Sequence, residues 1–151
     1  MKTTLLLFVF ASFILNSFAQ KVKFDKEVAT IDGTPFVKWY NEDNLSVSMS
    51  ALNTTTEEIF AQWMHYKDPN NVSQANPEGR VSWVELHFLT LDIKFETNNT
   101  NRKDLVKFLQ SNNVYVNGEL NEENVRHLAK KYGTKYSDGR PGGNVKVIVN
   151  K

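Results

Sequence analysis

"VSWVELHFLTLDIKFET", Val81 to Thr97, decides how this chain is read. Its apolar residues alternate, but the alternation changes phase half way along. Val84, Leu86 and Phe88 occupy even positions; Leu89, Leu91, Ile93 and Phe95 occupy odd ones. Helical spacing competes, because Val81, Val84, Phe88, Leu91 and Phe95 fall three or four apart. Trp83, Leu86, Leu89 and Ile93 would then surround the helix, however, and the β-branched and aromatic content favours a strand. A straight strand of this length would exceed about 50 Å, far beyond the usual element. One extra residue inverts side-chain parity. The expectation is therefore a single strand with a bulge or sharp bend between Phe88 and Thr90, with Leu86 and Leu91 both buried and with Glu85 and His87 on the wetter side of the first half.

Before this stretch the chain reads as successive antiparallel strands. Asp32-Gly33 lies between two β-rich runs, and both residues tolerate positive φ, so a hairpin joins strands at about Glu27–Ile31 and Phe36–Tyr40. "NEDN", Asn41 to Asn44, is a second turn. In "LSVSMSAL" Leu45, Val47, Met49 and Ala51 share one face and serines the other, the pattern of a half-solvated strand. "EEIFAQWMHYK" is assigned as a strand on its aromatic and β-branched content. "DPNNVSQANPEGR" is a long loop.

The last third changes period. "NRKDLVKFLQS" places Leu105, Phe108 and Leu109 on one helical face, with Asn101 as cap and Asp104 at the positive end. Asn117-Gly118 marks a tight turn. "NEENVRHLAKKYG" is capped by Asn121, carries Glu122 and Glu123 in its first turn, and closes on Lys130, Lys131 and Gly133. Its stripe of Val125, Leu128, Ala129 and Tyr132 should be buried. "YSDGRPGGN" reads as a glycine-rich loop, and "VKVIV", Val145 to Val149, as a strand returning to the sheet. The fold class is thus α+β: an antiparallel sheet of five or six strands, two C-terminal helices on one face and a final returning strand. The pair of helices is no helix-turn-helix, because Asn113 to Leu120 is too long for that turn.

The N-terminus carries an address. Lys2 precedes an apolar run from Leu5 to Leu15 broken only by Ser12, and "NSFA" ends with Ser17 and Ala19, small residues at the positions signal peptidase reads. The run is shorter than the about 20 apolar residues that span a bilayer. Residues 1–19 are read as a signal peptide, and residues 20–151 as one domain, exported to the periplasm or beyond. Removing one lysine with the leader leaves 17 basic and 17 acidic residues, a net charge of zero. Nucleic acid is a poor partner for such a chain. There is no cysteine, so the core alone must hold the fold. The mature chain contains no second apolar run long enough to cross a membrane. Sequons at Asn44, Asn53, Asn71 and Asn98 follow from an Asn-rich composition and are not taken as functional.

Chemistry is sparse. Glu85 and His87 point the same way in a strand, and His65 lies in the preceding strand; with suitable register the three could bind zinc or iron. No thiol, nucleophile elbow or Ser-x-x-Lys pair is present. Ser137-Asp138 reads as a turn. Glu57-Glu58 and Glu122-Glu123 are adjacent and cannot flank a scissile bond. "GRPGG" follows a helix, the reverse of a phosphate cradle. No cofactor is implied. Trp39, Trp63 and Trp83 all lie in strands; core packing is the ordinary use, but on one solvent-facing side they would form an adhesive patch for a sugar, peptide or protein.

The leader ending "FAQ", the "ATIDGTPFVKW" opening and the "LNEENVRHLAKKYGT" helix resemble those of small exported proteins of Bacteroidota that have no assigned function. The resemblance implies a periplasmic or secreted home in a Gram-negative cell and transfers no catalytic residue. The leading functional reading is a non-catalytic exported binding or interaction domain for a protein, peptide or glycan. The alternative is a small hydrolase or metal-dependent enzyme using His65, Glu85 and His87. The first expected outcome concerns processing: mass spectrometry of the exported protein should find Gln20 as its first residue, and an intact leader would refute the assignment.

Overall fold

The computed structural model describes residues 20–140, and in it the change of parity at Phe88 is a turn, not a bend. β1 (Val22–Asp25), β2 (Val28–Ile31), β3 (Thr34–Asn41), β4 (Ser46–Ser50), β5 (Ile59–Lys67), β6 (Arg80–Phe88) and β7 (Ile93–Thr97) form one antiparallel sheet in sequence order. Across the last pair Phe88 faces Ile93, Leu86 faces Phe95 and Val84 faces Thr97. Each pair joins an even to an odd position, because a loop of even length, residues 89–92, separates the strands. The expected bulge is therefore replaced by a hairpin, and the sheet has seven strands instead of five or six. Leu86 is buried and Leu91 packs half-buried against the core. Asp92 takes the left-handed conformation at φ +48°, a place glycine would usually mark.

Other turns follow their sequence signals. Asp32 and Gly33 have φ of +52° and +83° and join β2 to β3; Asn117 and Gly118, at +53° and +81°, join β8 (Tyr115–Val116) to β9 (Glu119–Leu120). The long loop after β5 is ordered around Asn76, whose side chain donates to the carbonyls of Asn71 and Arg80 and accepts from the Arg80 amide. Gly79 closes it: a Cβ there would lie 2.1 Å from the Asp68 carbonyl oxygen.

Two helices cover one sheet face. α1 (Arg102–Ser111) is capped by the Asn101 side chain and reaches β1; α2 (Glu122–Tyr132) is capped by Asn121 and packs on β7. Between them and the sheet lie Val37, Trp39, Val47, Met49, Ile59, Ala61, Leu86, Phe88 and Phe95, with Leu105, Phe108, Leu109, Val125 and Leu128 from the helices. Ala129 and Tyr132 complete the α2 stripe half-buried, Tyr132 stacking on Phe95. The serines of β4 were expected to be half-solvated. Ser46, Ser48 and Ser50 are instead buried, because β4 is an inner strand and longer neighbours overhang it. Tyr40 and Phe60 flank Ser48; Lys38 passes beside Ser50 to the Thr54 carbonyl, and Glu57 accepts from Ser48. The expected returning strand, Val145–Val149, and the leader lie outside the described residues.

After α2 the chain leaves the helical face. Gly133 accepts a hydrogen bond from the Glu96 amide at the outer edge of β7. Residues 135–138 then form a short helix, α3 (Lys135–Asp138), where a plain loop was expected, and this helix lies against the opposite face. Glu96, which pairs with Glu85 and so points to that face, is fully buried. Its carboxylate accepts from the Tyr136 amide, and from both the amide and the hydroxyl of Ser137. Ser137, read from sequence as part of a simple turn, is thus a structural ligand. Tyr136 stacks on Trp83 at 6.1 Å, and Tyr66 meets that indole edge-on.

Glu96 and Glu85 are cross-strand neighbours with opposite consequences. Removing the Glu96 carboxylate strands three donors, so Glu96→Ala should cost about 3 kcal/mol or more. Glu85, partly exposed and paired only with Lys94, should lose no more than about 0.5 kcal/mol on the same change. Leu128→Ala, in the α2 stripe, should cost about 2–5 kcal/mol. Urea unfolding of the three variants checks this; equal effects for the two glutamates would show that Glu96 does not anchor the crossing.

Candidate functional site

The β5–β6 pair is longer than its neighbours. β4 stops pairing at Gln62 and β7 at Val84, while β5 and β6 stay paired out to Lys67 and Arg80. The outer ribbon, Trp63–Lys67 with Arg80–Trp83, therefore overhangs the sheet, and alternation gives it two different faces. One carries Trp83 and Tyr66 beneath α3. The other, on the helical side but beyond the helices, carries Trp63, His65, Arg80 and Ser82, with His65 directly opposite Ser82.

The first turn of α1 and the loop after β3 close this second face into a cleft of about 310 Å³, lined by Asn44, Leu45, Trp63, His65, Arg80, Ser82, Thr100 and Arg102 among others. Trp63 is its wall. The indole N–H donates to the Thr100 carbonyl at 2.6 Å, and the Arg102 guanidinium lies 5.5 Å from the ring centroid. Arg102 is itself held, donating to Asn41 Oδ1 at 2.8 Å and to the Asn44 carbonyl at 3.5 Å. The loop carrying Asn44 is folded on its own acid: the Leu45 amide donates to Asp43 Oδ1 at 2.6 Å, and that amide with the Ser46 hydroxyl holds the Asp43 carboxyl below its ordinary range.

The residues singled out from sequence are dispersed. His65 faces the cleft, whereas Glu85 and His87 project from the other side of the sheet, so the three do not converge. Glu85 pairs with Lys94 at 3.6 Å and His87 with Asp92 at 3.3 Å. Among the described residues no group of three or more His, Cys, Asp or Glu is placed to hold a metal ion. The tryptophans do not share a side either. Trp39 is in the helix-side core, Trp83 is buried under Tyr136, and Trp63 alone reaches the cleft. Among the described residues two buried side-chain polar atoms lack hydrogen-bond partners, Trp83 Nε1 and Tyr115 Oη. Burial, with the Glu58 carboxylate nearby, pushes the Tyr115 phenol well above its ordinary range.

Arg102 was not anticipated, yet a signal existed. A cation in the first turn of a helix opposes the macrodipole, so Arg102 must be placed for something other than the helix. Arg80 and Ser82 needed the register to be found. Compared with protein-family models, curated proteins and solved structures, the chain matches none. No helix among the described residues is long and apolar enough to cross a membrane.

Arg102 ties α1 to the β3–β4 loop across Trp63. Arg102→Ala should lower stability by about 1–2 kcal/mol, from a partly exposed cation–π contact and a charge-assisted hydrogen bond. It should also raise acrylamide quenching of tryptophan emission, because Trp63 loses its cover while Trp39 and Trp83 stay buried. Unchanged quenching would show that Arg102 does not hold the wall.

Proposed function

We propose that this protein is a non-catalytic exported binding domain, periplasmic or secreted after cleavage between Ala19 and Gln20, which receives part of a peptide, glycan or protein partner in the cleft at Trp63. The observation that carries this reading is the fixed indole. Thr100 and Arg102 hold Trp63 in the cleft wall, so a ligand meets an aromatic surface already in place and little ordering is required on binding. Tryptophan and arginine are also the side chains on which binding energy concentrates.

The enzymatic alternative has less support. His65, Glu85 and His87 are divided between the sheet faces. Ser82 opposes His65 in the cleft, but no hydrogen bond joins them, and no carboxylate lines the cleft to orient the imidazole as a serine nucleophile requires. A home among the exported Bacteroidota proteins that the sequence resembles belongs to the same reading.

Glycan and peptide arrays probed with the mature protein test it. Trp63→Ala, with folding checked by circular dichroism, should reduce binding to the recognised features by about tenfold or more, as for an interface hot spot. Binding that survives the substitution unchanged would move the contact surface away from the cleft. Turnover of ester or glycoside substrates, abolished by His65→Ala, would favour the enzyme instead.

A further inference from the structure

The cleft has a charge as well as a wall. Arg80 and Arg102 line it, His65 adds a third nitrogenous group, and no carboxylate is among its lining residues. This is unusual in a mature chain whose charges balance. Two acids beside the lining residues in the chain are engaged elsewhere. Glu78 pairs with Lys67 at 3.3 Å, and Asp43 is turned onto the Leu45 amide. None of the five ion pairs among the described residues includes Arg80 or Arg102. The depression over α2 makes the contrast: it is lined by Glu122, Glu123, Arg126, His127 and Lys130, charges of both signs, with Arg126 paired to Glu122.

Two further features sharpen this. Arg80 sits directly across from Lys67 on β5, and like charges opposite one another weaken a strand pair. Glu78 relieves Lys67 and leaves Arg80 uncompensated. Arg102 spends one N–H on Asn41 and one on Asn44, so three of its five donors have no such partner. Guanidinium groups match planar and tetrahedral oxyanions through paired N–H donors. The Ser82 hydroxyl adds a neutral donor, and α1 starts at the rim with its positive end.

Resting on the reading of this cleft as the binding site, we propose that its ligand carries an oxyanion, a carboxylate, sulfate or phosphate group, on a body about the size of one sugar ring, with Arg80 as the principal partner of the anion and Arg102 and Ser82 beside it. The size follows from the volume, which lies at the small end of ligand pockets. Trp63 and Leu45 supply the apolar wall against which the ring rests.

Titration of the mature, isotope-labelled protein followed through the Trp63 indole N–H resonance tests this. The probes are galacturonate, galactose 6-sulfate, galactose 6-phosphate and neutral galactose. At least one anionic sugar should move the Trp63 signal saturably, with affinity falling as salt is added, and galactose should not. The tightest of the three identifies the oxyanion. Arg80→Gln should weaken that probe by about tenfold, the scale of one charge-assisted contact; Arg126→Gln, on α2, should leave it unchanged. Galactose binding as tightly as the anions would overturn the oxyanion while leaving the cleft as a binding site. Anions that shift surface lysines but never Trp63 would overturn it too. In that case loss of array binding in Trp63→Ala tells whether the cleft itself still stands.

Discussion

A single buried carboxylate lets this chain use both faces of its sheet. β7 is an edge strand, and an edge exposes amides and carbonyls that invite other strands. Here the Glu96 amide donates to the Gly133 carbonyl, and the side chain of the same residue, turned to the other face, accepts from the backbone of Tyr136 and Ser137. The chain is thereby stitched around the edge, from the helical layer to the bare side. Without an acceptor at Glu96 the α3 amides would have nothing to bind, and Tyr136 would have no reason to lie on Trp83. A buried carboxyl group is tolerated because three donors converge on it.

That crossing also explains why the two faces of the overhanging ribbon differ. On one, Trp83 is closed off between Tyr66 and Tyr136. On the other, the helices stop short, and Trp63, Arg80 and Arg102 are left around open space. The cleft is a by-product of strand lengths: β5 and β6 outrun β4 and β7, and α1 begins just where they do so.

Much of the architecture is legible in the sequence, for local reasons. Asp32-Gly33 and Asn117-Gly118 declare their turns through residues that accept positive φ. Asn101 and Asn121 declare helix starts through side chains that reach amides in the first turn. The turn at 89–92 is hidden because Asp92 adopts the left-handed form without a glycine beside it, and an inverted parity then reads equally well as a bulge. The burial of Ser46, Ser48 and Ser50 is hidden because it depends on which strands flank β4 and on what Lys38 and Glu57 do above it. The site is less legible still. Trp63 stands out by type, but its companions come from β6 and α1, and only register tells His65 from His87. Nothing in the sequence marks Glu96, since its partners lie some forty residues away.

The order of the sheet bears on how the molecule is made. Every strand from β1 to β7 pairs with the strand that precedes or follows it in the chain, so no pairing has to close more than the loop between β5 and β6. Local contacts of this kind keep the entropic barrier to assembly low. The sheet can grow by zipping, one hairpin upon the last, in the direction in which a polypeptide emerges from a ribosome or a translocation pore. Contacts between the sheet and the C-terminal third are of another kind, among them Gln20 with Gln110 and Glu96 with Ser137. Both wait for the C-terminal third. A nascent sheet therefore stands with one face uncovered until α1 and α2 arrive. During that interval the apolar residues of that face are open to solvent, the condition under which a folding chain is prone to aggregate.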